Sequence, residues 1–137
     1  MKHLSASNRA GDIKVIPLSE LHCHAQVENP IFLGRVEESI AEFGLQNPVV
    51  VVPITIKRWK ELKSYNSAML PAPEGHPEDI VFQVRCGNNR VRIARGLGYD
   101  TIDCIVVEKM ADSNAICLKQ RDQQTNWMHR GEFGKWL

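Results

Sequence analysis

The stretch LGRVEESIAEFGLQNPVVVVP, residues 33–53, constrains the fold more than any other part of the chain. Leu33, Val36, Ile40 and Phe43 recur at spacings of three and four residues, which lines them along one stripe of a helix. Gly44 follows, where a helix ends best on a residue able to enter the left-handed region. The valines between Pro48 and Pro53 then read as a short strand covered on both faces, because nothing polar alternates with them. A helix feeding a doubly buried strand needs further helices to cover the sheet. The expected class is α+β (mixed α/β), a mixed sheet with helices packed on it.

The rest of the chain fits that frame. In IKVIPL, Ile13 and Val15 alternate with polar neighbours and predict a strand stopped by Pro17. Residues 1–11 ahead of it are polar, small and glycine-ended, and read as a flexible N-terminal arm. IVFQVRC sets Phe82, Val84 and Cys86 on a drier strand face, opposite Val81, Gln83 and Arg85. Val91, Ala94 and Leu97 mark a helix broken by Gly98, and TIDCIVV is another strand. A last helix carries Ala111, Ala115 and Leu118 on one face, with Asp112 or Ser113 as its cap. Residues 54–79 combine a short amphipathic pattern, IKRWKELKSY, with the proline-rich LPAPEGHPED and form an insertion. One domain therefore spans 12–126, followed by an irregular tail, 127–137, whose Trp127, Phe133 and Trp136 imply docking.

Composition narrows the partners. With 43% hydrophobic residues and a formal charge of +1 over 137 residues, the chain supports one core and announces neither nucleic acid nor membrane. Cys23, Cys86, Cys104 and Cys117 never form a C-x-x-C pair, which argues against a zinc ribbon and a disulfide scaffold and for reduced thiols. No run approaches the ~18 apolar residues of a membrane span, and no signal peptide opens the chain. A cytoplasmic protein is expected.

Three places carry chemistry. In VRCGNNRVRIARGLGYD, residues 84–100, a strand runs through a glycine into a helix, presenting free backbone N–H groups at the positive end of a helix dipole. Arg90 and Arg92 add guanidinium forks for phosphate oxygens. The plainer reading is a Gly-Asn turn with solvated arginines. His22 and His24 share one side of a strand but have no third metal ligand in reach, so two polar loop residues around Cys23 is the favoured reading. Cys86, flanked by Arg85 and Arg90, has the neighbours of an activated thiol, yet its alternation with Phe82 and Val84 favours an inert core cysteine.

The order of these pieces resembles the ParB/sulfiredoxin-like fold family over residues 13–126. The resemblance rests on IKVIPLSEL, on ENP at 28–30, on RVEESIAEFGLQNPVVV and on GNNRVRIARGLGYDTIDCIVV. Ser39, Ile40, Gly44, Pro48 and Val49 match the ParB-type helix and strand, with Asn47 where glutamine is usual. Gly87, Arg90, Arg92 and Ala94 match the family's Gly-Glu-Arg-Arg-x-Arg-x-Ala phosphate segment, while Asn88 and Asn89 replace its glutamate and first arginine. The sulfiredoxin nucleophile would stand at Asn88, so the resemblance carries no sulfiredoxin chemistry.

What the resemblance implies is a stand-alone ParB N-terminal-type domain that binds a nucleoside triphosphate, CTP or ATP, with Mg²⁺, and that hydrolyses it or transfers phosphate. Gly87, Asn88 and Asn89 would cradle phosphates, Arg90, Arg92 and Arg35 would neutralise them, and Asp122 and Gln123 would hold the metal. A phage or mobile-element origin is implied, because no helix-turn-helix domain of the ParB kind follows. Two alternatives stand beside it: a ParB-like DNA-binding protein or nuclease, and a catalytically inactive interaction module. A homodimer through the tail is a further expectation.

Overall fold

The computed structural model describes residues 2–9, 11–25 and 30–127, leaving out the side chains of 30–33 and 121–127. Its strands are β1 (His3–Leu4), β2 (Ile13–Pro17), β3 (Leu21–Cys23), β4 (Val49–Thr55), β5 (Ile80–Cys86) and β6 (Thr101–Val106). Its helices are α1 (Pro30–Phe43), α2 (Ile56–Tyr65), α3 (Asn88–Gly96) and α4 (Met110–Trp127), with a 3₁₀ turn at Leu18–Glu20. The strands form one mixed sheet in the order β1-β6-β4-β5-β3, and β2 also pairs with β6. This is the α+β class that the helix-to-strand stretch requires.

The valine strand lies at the centre. It runs parallel to β6 and antiparallel to β5, and Val49, Val50 and Val51 are wholly buried. Pro53 is tolerated because β6 pairs only with Val49, Val50 and Val51, leaving the later half of β4 with β5 as its neighbour. On one face, Val49, Val51 and Val84 pack against Ile40 of α1 and Val91, Ile93 and Ala94 of α3. On the other, Ile54 packs with Trp59 of α2, Met69 and Met110. Trp59 is fully buried, and its indole N–H donates to Leu70 O at 2.9 Å, so α2 and the following loop are one packed unit.

Several expectations give way, each for a local reason. Residues 2–9 are tied down rather than loose: β1 joins β6, and buried Asp103 accepts from Ala6 N–H and His3 Nε2, both at 2.9 Å, and from Arg9. Ile16 turns into the core and Val15 is exposed, because the chain bends into the 3₁₀ turn at Leu18. Phe43 is exposed at the end of α1. Gln83 is as buried as Val84, since helices cover both faces of β5. In α4, Leu118 is exposed while Ser113 and Gln120 face inward; the Ser113 hydroxyl donates to Met110 O at 2.6 Å and caps nothing. α3 ends at Gly96, and Gly98, at φ +82°, makes the turn after it. The tail after residue 127 lies outside the described residues.

Candidate functional site at the start of α3

β5 delivers the chain to Gly87, which adopts φ +109° and ends the strand abruptly. Only glycine suits this corner, because that backbone region strains other residues and a Cβ would stand 2.9 Å from the Arg90 guanidinium. Val91 N–H makes the first intrahelical bond, to Gly87 O at 2.9 Å. The N–H groups of Asn88, Asn89 and Arg90 consequently have no acceptor within the helix, and no side chain of the cap residue serves them. The N–H groups of Asn88, Asn89 and Arg90 thus make a corner of donors behind Gly87, at the positive end of a helix dipole.

The arginines divide. Arg90 turns inward, donating from Nη1 to Asn47 O at 2.7 Å and from Nη2 to Gln120 Oε1 at 3.2 Å. Gln120 in turn donates to Pro48 O at 3.1 Å, so Arg90 fastens the start of β4 to α4 beneath the glycine corner. Arg92 and Arg95 lie on the side of α3 that faces β3. Arg92 donates from Nη2 to Ala25 O, and Arg95 from Nη2 to Leu18 O at 2.8 Å and to Leu21 O. Among the described residues, buried Asn89 Oδ1 and Arg92 Nη1 find no hydrogen-bond partner.

Asn88 joins this same side. Its Oδ1 accepts the backbone N–H of His24 at 3.0 Å, and its own carbonyl lies 3.7 Å from Cys23 Sγ as the acceptor of that thiol. His24 Nδ1 sits 2.5 Å from Val84 O, which as an acceptor places the ring proton on Nδ1. Burial, with the charge of Arg85 second, pushes the His24 pKa below its ordinary value, so the ring is held neutral. The His-Cys-His segment, expected as a loop, is therefore partly strand, paired in parallel with β5 and held to the start of α3.

The other predicted residues are more distant in role. Arg35 is exposed on α1, the helix that packs against α3. Asp122 and Gln123 stand on the last part of α4, where side chains lie outside the described residues, as do Glu28 and Asn29. Among the described residues, no group of three or more His, Cys, Asp or Glu side chains is placed to hold a metal. Cys86 is half-buried, 3.4 Å from Gln120 Oε1. Its hydrogen bond with Cys117, followed by burial, drives the Cys117 thiol upward, and burial pushes Cys104 up to about 12. Neither Cys104 nor Cys117 is held as a thiolate.

Sequence reasoning missed Asn47, Gln120 and His24 as neighbours of the corner. The odd-even placement of His22 and His24 was a signal for the last of these. Nothing local announced the others, since each is joined through the tertiary fold.

No family model matches the chain, and no curated protein matches it. Among solved structures it is similar to the C-terminally truncated chromosome-partitioning protein ParB from Caulobacter crescentus, complexed with CTP-γ-S. Identity is 20% and the TM-score 0.53, covering 82% of this chain and 54% of that one. The chain spans little more than half of that ParB structure, and at this identity the likeness is one of fold. A looser likeness, with 17% identity and a TM-score of 0.47, is to sulfiredoxin from Arabidopsis thaliana, covering 79% of this chain and 98% of that one. The chain has the ParB/sulfiredoxin-like fold that its motifs imply.

Proposed function

We propose that this domain binds a nucleoside triphosphate, with the phosphates at the start of α3. The observation that carries the reading is the corner at Gly87, where three successive N–H groups at a helix start have no intrahelical acceptor. The ParB structure of similar fold is a complex with CTP-γ-S, which supports the choice of a nucleotide over a simpler anion. Asn88, Asn89 and Arg90 contribute backbone donors and Arg35 contributes charge, while Arg92, turned toward β3, adds only to the positive field around the corner. Arg90 acts by holding the corner in shape, since its side chain bonds Asn47 and Gln120. A Mg²⁺ ion accompanying the triphosphate would find oxygen donors in Asp122 and Gln123, the ligand type that metal prefers. Hydrolysis or phosphate transfer is the activity this arrangement serves.

Isothermal titration of the protein with CTP, ATP and GTP, each with Mg²⁺, tests the reading. Saturable binding of at least one is expected, weakened at least about tenfold by Asn89→Asp, whose negative charge beside these N–H groups repels the phosphates by on the order of 1.4 kcal/mol or more. No heat with any nucleotide overturns it. Binding of plain DNA that weakens steeply with salt, in place of nucleotide, points instead to the nuclease or DNA-binding alternative.

A second reading has its own observation. Asn88, Arg90 and Arg92, three of the motif's four polar side chains, bond within the fold, as they would in an interaction module that has kept the frame without the activity. Failure of both nucleotide and DNA to bind selects this reading.

A further inference from the structure

Beyond the glycine corner, the later turns of α3 border an open cavity of about 420 Å³ that β3, the 3₁₀ turn and the insertion loop also line. That volume lies within the roughly 300–1,000 Å³ of small-molecule sites. Arg92 and Arg95 project to it from one side of α3, and among the described residues no carboxylate lines it. Both guanidiniums are held by backbone carbonyls, Arg92 by Ala25 and Arg95 by Leu18 and Leu21. Carbonyls fix position without cancelling charge, and none of the ion pairs among the described residues includes either arginine. Two positioned cations therefore share one concave site with their charge uncompensated.

The neighbouring side chains respond to that field. Burial lowers the pKa of His22, and the charge of Arg95 lowers it further, so the ring adds no competing cation near neutral pH. Burial raises the Cys23 thiol against the opposing pull of Arg92 and Arg95, leaving a neutral thiol in the wall. The opposite wall is apolar, formed by Leu70, Pro71 and Pro73 over the buried Trp59. It is built before any ligand arrives: Leu70 N–H donates to His24 O at 2.9 Å, and the Trp59 indole donates to Leu70 O at 2.9 Å.

We propose that this cavity binds a small oxyanion with an apolar body, of the carboxylate or phosphate-monoester class, its charged end on Arg92 and Arg95 and its body against Leu70, Pro71 and Pro73. The site is separate from the phosphate corner: it uses the second half of α3 and residues of the 54–79 insertion.

Cys23 reports occupancy because it lines the cavity. The full chain is treated with iodoacetamide in the presence of phenyl phosphate, inorganic phosphate or benzylamine, and alkylation is followed by peptide mass spectrometry. Saturating phenyl phosphate slows Cys23 at least about fivefold, in proportion to the unoccupied fraction, and leaves Cys117 unchanged. Inorganic phosphate protects less, lacking the apolar body, and benzylamine does not protect. Arg95→Gln removes the protection, as does Ser19→Trp, a change at an exposed rim position that leaves the core untouched. An unchanged Cys23 rate with phenyl phosphate, equal protection by benzylamine, or protection surviving in both variants overturns the proposal.

Discussion

The two sides of α3 use arginine to opposite ends. On the side facing β4 and α4, Arg90 reaches the carbonyl of Asn47 and the amide of Gln120, and becomes a strut between elements. On the side facing β3, Arg92 and Arg95 are also anchored by carbonyls, yet they border an open cavity with no acidic partner among the described residues. One guanidinium group is structural and the other two are available to an anion, although all three stand within six positions of each other on one short helix. The role of each follows from which acceptors the fold brings within reach, not from its place in a motif.

That contrast is easiest to break through stability. Arg90→Ala leaves Asn47 O without its donor and Gln120 Oε1 with only the weak Cys86 thiol, and a loss of about 2–3 kcal/mol is expected in urea denaturation. Arg95→Ala, on an exposed residue, is expected to cost about 1 kcal/mol. Equal losses from the two would erase the distinction.

Asn88→Ala sits between these, because it frees the His24 N–H and loosens β3 from α3. A cost of about 1–2 kcal/mol and faster alkylation of Cys23 are the expected results. A stability cost with no change at Cys23 would show that Asn88 does not hold that wall.

The smallest effect is one of pH. The His24 pKa is lowered in the folded protein, by burial first and by Arg85 second, so the unfolded chain binds the proton more readily. Its contribution to stability is fully present above the ordinary value of 6.5 and is lost as pH falls through the folded value. The denaturation midpoint should therefore drop on acidification from neutrality, and His24→Gln should flatten that slope. His22, lowered by burial and by Arg95, contributes in the same sense and leaves a residual slope.

The centre of the fold was legible because burial there is apolar. Val49, Val50 and Val51 are covered on both faces, and a β-branched run with no polar alternation carries that information by itself. α4 was legible as a helix and not as a face: its inward residues Ser113 and Gln120 are polar and satisfied by Met110 O, Pro48 O and Arg90, so no apolar stripe marks them. β1 is two residues long and is held largely through Asp103, nearly the whole chain away in sequence. At the site, Gly87 and its following helix could be read from the residues, since strand, glycine and helix adjoin. The direction of Arg90 could not, because its acceptor on Asn47 lies 43 positions earlier.

The central claim is that phosphate meets backbone at the start of α3, and amide NMR during titration with CTP and Mg²⁺ tests it most directly. The account predicts the largest shifts at the N–H groups of Asn88, Asn89 and Arg90, saturating with nucleotide and diminished in Asn89→Asp. Saturation by any nucleotide with these three amides unmoved would contradict it.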